Sequence, residues 1–320
     1  MGHRYPKRTQ LKYTKQRYRI RNWPQYEAGL RKRGDLSLWF SDEAIAAWQA
    51  PTGAKPGGQP VYSDLAIEAA LMVRLVYGLP LRQTEGFLQS MSTLLDLGLR
   101  IPDHTTLSRR SKRLNVRIRP SVREGSVHIM IDSTGLRVHN GNVPGSSPPK
   151  RRAWRKLHIV VDADTGDILA SALTTHRPRD AAQVPVLVAQ VDGPLVSAMA
   201  DGAYDTVPVY AAIEAHGSGP PSQILIPPRH DAQTKGAANV SSQRDAIIRA
   251  IDAGGRRRWA HESGYTRRCL AETAMSRYKA IIGGSIRSRT MPSQKTEAVL
   301  GCAILNRMHH LGKPDGYCIV

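Results

Sequence analysis

The chain has no run of about 18 or more apolar residues, which excludes a membrane-spanning helix. Its N-terminus is basic but lacks the apolar stretch of a secretory signal, so a cytoplasmic protein is expected. Cysteine is scarce. Cys269, Cys302 and Cys318 are odd in number and widely spaced, which fits neither a disulfide framework nor a zinc motif and points to a reducing compartment. Internal repeats are missing as well. Acids are in short supply: 26 Asp and Glu stand against 46 Lys and Arg, a formal net charge of +20. A surplus of that size selects a polyanionic partner. The basic runs are not patterned as amphipathic helices, which argues against a membrane surface as that partner. With 320 residues, 41% of them hydrophobic, the chain has room for two domains and at least one large core.

Residues 1–21 hold eight Lys or Arg and no acid, interleaved with Tyr5, Tyr13 and Tyr18. This reads as a basic arm, either a solvated tail or a track for DNA phosphates. A helical region is expected over 22–120, with segments at 23–33, 41–48, 63–77, 82–97 and 104–115, and a Pro/Gly-rich linker at 51–60. Ser63 and Asp103 are the expected N-caps. The last of these helices is short and carries Arg109, Arg110, Lys112 and Arg113. The trio resembles a helix-turn-helix, with a plain bundle bearing a solvated basic face as the alternative.

From residue 125 the pattern changes to strands. They are expected at 127–132, 154–161, 168–173, 196–201 and 223–226, with helices at 181–191, 207–216, 265–282 and 294–311. The run 162–167 mimics a calcium loop but is too short, and reads as a hairpin turn. Three strands followed by helix-linked strands is the order of a ribonuclease-H-like α/β domain, a mixed five-stranded sheet with flanking helices. The expected divisions are the arm 1–21, an all-α DNA-binding region 22–120, a catalytic domain 121–312 and a tail 313–320.

Three acids stand out. Asp132 closes one expected strand and Asp201 another, and Glu272 lies in the 265–282 helix. Carboxylates on separate rigid elements suit a pair of hard cations and phosphoryl transfer. Each has a plain reading too: Asp132 as a turn former, and Asp205 as a rival to Asp201, although Asp205 better suits a cap for the helix near Val207. In a helix, Tyr265, Arg268, Glu272 and Lys279 fall within about one sixth of the circumference. A surface Arg268–Glu272 pair, in its weaker orientation, explains little of that stripe. Arg151, Arg152, Arg155, Lys156, Arg256, Arg257 and Arg258 would add a backbone track, and Trp154 packs under the hairpin or stacks on a base.

Asp132 in Ile-Asp-Ser-Thr-Gly-Leu, Asp201 in Ala-Asp-Gly-Ala-Tyr-Asp-Thr, and the spacing Tyr-x2-Arg-x3-Glu-x6-Lys from Tyr265 to Lys279 together resemble bacterial insertion-sequence transposases of the DDE class, in particular the insertion-sequence-five group. The resemblance runs from about residue 22 to about 311, and no large insertion domain fits before Glu272. It implies two Mg²⁺ ions, with Mn²⁺ as a substitute, held by Asp132, Asp201 and Glu272. It also implies phosphate contacts from Tyr265, Arg268 and Lys279, and double-stranded DNA partners, both inverted-repeat ends and target. A homodimer on DNA and a nucleoid-associated location would follow. The competing readings are a ribonuclease-H-like nuclease without strand transfer and a catalytically idle DNA-binding regulator.

Overall fold

The computed structural model describes residues 17–40, 42–51, 59–121, 125–142, 152–216, 223–229, 232–234 and 242–319. Along the chain run β1 (Arg17–Ile20), α1 (Trp23–Lys32), α2 (Asp42–Ala46), α3 (Asp64–Val76), α4 (Leu81–Leu94) and α5 (His104–Arg110). Then come β2 (Val127–Asn142), β3 (Arg152–Asp162), β4 (Ile168–Thr175), α6 (Val184–Val188), β5 (Leu195–Met199), α7 (Val207–Glu214) and β6 (Gln223–Leu225). The chain ends with α8 (Ser242–Gly254), α9 (Arg256–Glu262), α10 (Cys269–Ile281), β7 (Ser285–Ile286), α11 (Met291–His310) and β8 (Gly316–Ile319). Contacts divide the described residues into two compact units, 36–307 and a smaller one made of 17–35 with 308–319.

In the smaller unit the arm and the tail meet. β1 pairs antiparallel with β8, and the Asn22 side chain ties the junction by bonding the Lys313 carbonyl and the Asp315 amide. Neither strand is legible from local periodicity, because each needs the other end of the chain. The arm before residue 17 lies outside the described residues.

In the larger unit, α3 is the buried helix that its sequence implies. Ser63 caps it by accepting from the Ala66 amide, and Ile67, Ala70, Leu71 and Val73 are all buried. Asp103 caps α5 by accepting from the Thr105 and Thr106 amides at 2.9 Å. That helix is shorter than expected: it stops at Arg110, where the Ser111 hydroxyl turns back to the Ser108 carbonyl, so Lys112 and Arg113 lie beyond its end. The link between α4 and α5 runs over 95–103, longer than the turn of about 3–4 residues that a helix-turn-helix uses.

The sheet has six strands rather than five, in the order β4-β3-β2-β5-β6, with β7 beside the far half of β2. β2, β3 and β4 form an antiparallel meander closed by the expected turn at 162–167, while β5 and β6 run parallel to β2 through α6 and α7. β2 does not end at Asp132 but continues to Asn142. Its polar second half is held as a strand by β3, and Gly135 leaves room for the Trp154 ring, which a Cβ would meet at 3.3 Å. One face carries Val127, Ile129 and Ile131 against α6 and α7. The other carries Met130 and Leu136 against α9, α10 and α11. The polar, Gly-rich stretch 229–260 hides α8 and most of α9.

Candidate active site

Alternation along β2 decides where Asp132 points. Met130 enters the core beneath α10, and Asp132, two residues on, shares its face. The parallel register sets Met130 beside Met199 of β5, and the same offset carried two residues further brings Asp132 alongside Asp201. Neighbouring strands lie about 4.8 Å apart. Asp201 sits just past the end of β5, where it caps a 3₁₀ turn (Gly202–Tyr204) by accepting from the Ala203 amide at 2.8 Å.

The third element differs in detail from the expected helix over 265–282. Gly264, at φ 73°, opens a 3₁₀ turn over Tyr265–Arg268, and the α-helix proper begins at Cys269. Residues three apart are eclipsed in a 3₁₀ turn, so Tyr265 and Arg268 still share a face. That face meets the sheet. The Tyr265 hydroxyl donates to the Ala200 carbonyl at 3.2 Å, next to Asp201, and its ring packs on Trp259 at 5.1 Å between centroids. The Arg268 guanidinium forks between two carboxylates, with Nη1 3.4 Å from Asp132 Oδ2 and Nη2 2.5 Å from Glu272 Oε1. Lys279 is exposed on the same helix, about two turns beyond Glu272.

Burial pushes the Asp132 carboxyl above its ordinary range. The Ser133 amide (2.7 Å from Oδ1) and Arg268 oppose that rise, and Asp201 and Glu272 add to it. Burial works against the Arg268 charge, but Tyr265 and the three acids more than offset it and its pKa is raised. Among the described residues, no three His, Cys, Asp or Glu side chains stand close enough together to hold a metal ion as they are placed. Between Asp132 and Glu272 stands Arg268. As donors the three acids nonetheless suit a hard divalent cation, which prefers carboxylate oxygen.

On the opposite face of β2 lies a group centred on Asp180, which sequence reasoning missed. Ser133 Oγ donates to Asp180 Oδ2 at 2.9 Å, and Lys156 Nζ donates to Asp180 Oδ1 at 2.7 Å and to the Pro178 carbonyl. Ser133 thus fixes the strand beside Asp132 through its amide on one face and its hydroxyl on the other. His158, fully buried, faces Thr174 at 2.9 Å, and burial depresses its pKa to about 4. No local pattern signals Asp180, because its partners lie on β2 and β3.

Asp205 is not the helix cap expected of it; Thr206 occupies that position. Asp205 is buried and forked by Arg244, at 2.8 Å from Nε and 3.1 Å from Nη2. The expected DNA contacts differ in exposure. Arg109, Lys112, Arg113, Arg256, Arg257 and Arg258 are exposed, with Arg109 reaching the Thr106 hydroxyl at 3.5 Å and Arg258 pairing with Glu262 at 2.7 Å. Arg110 clamps Asp64 and the Tyr62 carbonyl, Arg155 bonds Gln294 on α11 at 2.7 Å, and Lys156 holds Asp180. Arg151 and the side chain of Arg152 lie outside the described residues. Trp154 is 46% exposed, with its ring over Gly135.

Two family models match the chain, each described as a transposase DDE domain, one over residues 31–141 and the other over 123–307. The second spans more than half of the chain and contains Asp132, Asp201 and Glu272. Among solved structures, the chain is similar to a piggyBac transposase in a synaptic complex with hairpin DNA. Identity is 11%, the match covers 88% of this chain and 76% of that one, and the TM-score is 0.35. That likeness is too loose to bear on the fold.

Proposed function

The chain belongs to the insertion-sequence DDE transposases, and from that premise we propose that Asp132, Asp201 and Glu272 are the carboxylates at which it cuts transposon ends and joins the freed 3′-hydroxyl to target DNA. The observation that carries this is the Arg268 fork on Asp132 and Glu272, beside the strand register that lines Asp132 up with Asp201. Asp132 and Asp201 would hold two Mg²⁺ ions, or Mn²⁺, with Glu272 completing the second site. Such ions supply Lewis acidity to the attacking and leaving oxygens.

The chain's own residues do the rest. Tyr265 holds the Ala200 carbonyl and so sets the strand end that carries Asp201. Ser133 orients Asp132. With DNA bound, Arg268 and Lys279 would contact the phosphate backbone beside Tyr265, Arg as a fork and Lys as a point charge. The strand order, an antiparallel meander with two parallel strands added beside its first strand, supports a ribonuclease-H-like catalytic domain over 121–312. The helices within 22–120 form the DNA-binding region in this reading. Exposed Arg109, Lys112 and Arg113 contact phosphate, and the arm 1–21 tracks the duplex. Membership of the insertion-sequence-five group and a homodimer that pairs two ends are part of the same proposal. Among the described residues no helix is long and apolar enough to cross a membrane.

A strand-transfer assay with Mg²⁺ on duplexes carrying the element's ends tests the reading. Joined product is expected from the wild type. Glu272→Gln is expected to lose cleavage and keep DNA affinity. Cleavage without joining would instead mark a nuclease, and an unchanged Glu272→Gln variant would mark a regulator.

A further inference from the structure

We propose that Arg268 is an exchangeable counter-ion. It holds Asp132 and Glu272 until divalent cations take those carboxylates, and then turns its fork to a DNA phosphate, so that cation binding and DNA binding strengthen each other. The inference rests on the reading above that these acids are the cation ligands.

Four observations lead to it. First, Arg268 touches both carboxylates at once, one on β2 and one on α10, with separate guanidinium nitrogens. A cation that takes the oxygens facing Arg268 must take them from the guanidinium, because that group never gives up its charge to ease the conflict. Second, the arrangement can be undone. Glu272 is 59% exposed and Arg268 22%, and the pair on the helix is in the weaker cation-before-carboxylate orientation. Third, Arg268 is the last residue of a 3₁₀ turn that follows Gly264, whose positive φ few other residues adopt, so the chain bends just before the fork. Fourth, the charges change sign. Three carboxylates against one guanidinium leave the cluster net negative, and two divalent cations make it net positive. A planar fork displaced into a net positive site is suited to bidentate capture of phosphate, and its binding there offsets the repulsion. The coupling is then reciprocal: whatever factor the cation adds to DNA affinity, DNA adds to cation affinity.

The test uses the full chain and Mn²⁺ alone, by titration calorimetry, followed by random-sequence duplex binding with and without Mn²⁺. Wild type is expected to bind Mn²⁺, and Asp132→Asn to weaken it. Arg268→Gln is expected to bind Mn²⁺ about 10-fold more tightly than wild type, within the usual range of coupling between sites. Arg268→Lys, which keeps the charge but cannot fork to both acids, is expected to fall between them, and it carries the test if the Gln variant fails to fold. Mn²⁺ should raise duplex affinity for wild type by a similar factor and for the Gln variant by less, because no fork is released there. Mn²⁺ affinity that is equal or weaker in both Arg268 variants overturns the exchange while leaving the site assignment intact. Wild type and Asp132→Asn binding Mn²⁺ alike would overturn the site assignment, and the exchange with it.

Discussion

The motif Asp201-Gly-Ala-Tyr-Asp205 offers two acids for one role, and their surroundings predict opposite behaviour on substitution. The Asp205 side chain is 1% exposed and Arg244 is 12% exposed, joined by two hydrogen bonds of 2.8 and 3.1 Å. Removing one partner of a buried pair strands the other charge, at a cost of about 3–5 kcal/mol. Against a total stability of about 5–15 kcal/mol, Arg244→Ala should lower the melting temperature by on the order of 10 °C. Asp205→Asn keeps the shape but weakens two charge-assisted bonds, a loss of about 2–3 kcal/mol. Replacing both by apolar residues, Arg244→Met with Asp205→Leu, should recover much of the loss. Asp201, in contrast, is only half-buried and bonds one amide, a capping role that Asn fills as well as Asp. Asp201→Asn should therefore unfold within about 1 kcal/mol of wild type and still lose cleavage. Urea unfolding with a fixed slope, beside cleavage measured per folded molecule, reads both effects. An Asp205→Asn variant that is as stable as wild type yet inactive, together with an active Asp201→Asn, would falsify the assignment.

Three further outcomes follow from the same contacts. Tyr265→Phe removes the hydroxyl that holds the Ala200 carbonyl; about 1 kcal/mol of stability should go, cleavage should slow, and duplex affinity should hold, whereas a fall in affinity alone would mean the phenol grips phosphate. Gly301 of α11 lies against Tyr278 of α10, and an added Cβ would come within 2.6 Å of the ring. Gly301→Ala should thus cost about 1–3 kcal/mol by overpacking and shift the helix that carries Glu272, which calorimetric unfolding and cleavage rates would both register. Buried His158 has a folded pKa of about 4 against an ordinary 6.5, so its contribution is whole above pH 6.5 and drains as pH falls towards 4. That loss is at most about 3 kcal/mol. Unfolding curves for His158→Gln should be flatter through that window, and an equal slope in both proteins would contradict the assignment.

Much of this arrangement is readable from local pattern. Period-two alternation gives the face of β2 that holds Val127, Ile129 and Ile131, and helical spacing groups Tyr265, Arg268, Glu272 and Lys279 even though the first turn is 3₁₀. Caps at Ser63 and Asp103 are local chemistry and come through intact. What escapes is whatever a distant strand decides. β2 reads as ending at Asp132 because residues 133–139 are largely polar, yet β3 carries the pairing on past Leu136. β1 and β8 depend on each other across the whole chain. α8 lies hidden in a Gly-rich stretch whose apolar residues, Ile247 and Ile248, reveal a face only once the core is known.

Arg268 shows why local energetics mislead at a site. Taken by itself, its pair with Glu272 is an exposed helical contact contributing a few tenths of a kcal/mol, too little to explain why Arg and Glu stand there. The missing partner is Asp132, 136 residues away in sequence, which reaches the guanidinium only because β2 carries it on the face beneath α10. With that third group present the contact is no longer a helix-surface pair. It is an ion pair that ties β2 to the helix bearing Glu272, and its strength depends on what else occupies the carboxylates. A residue whose partners are set by tertiary structure in this way can be predicted to matter from spacing, but not to be in competition. The competition becomes visible only when the two acids are seen on the same guanidinium.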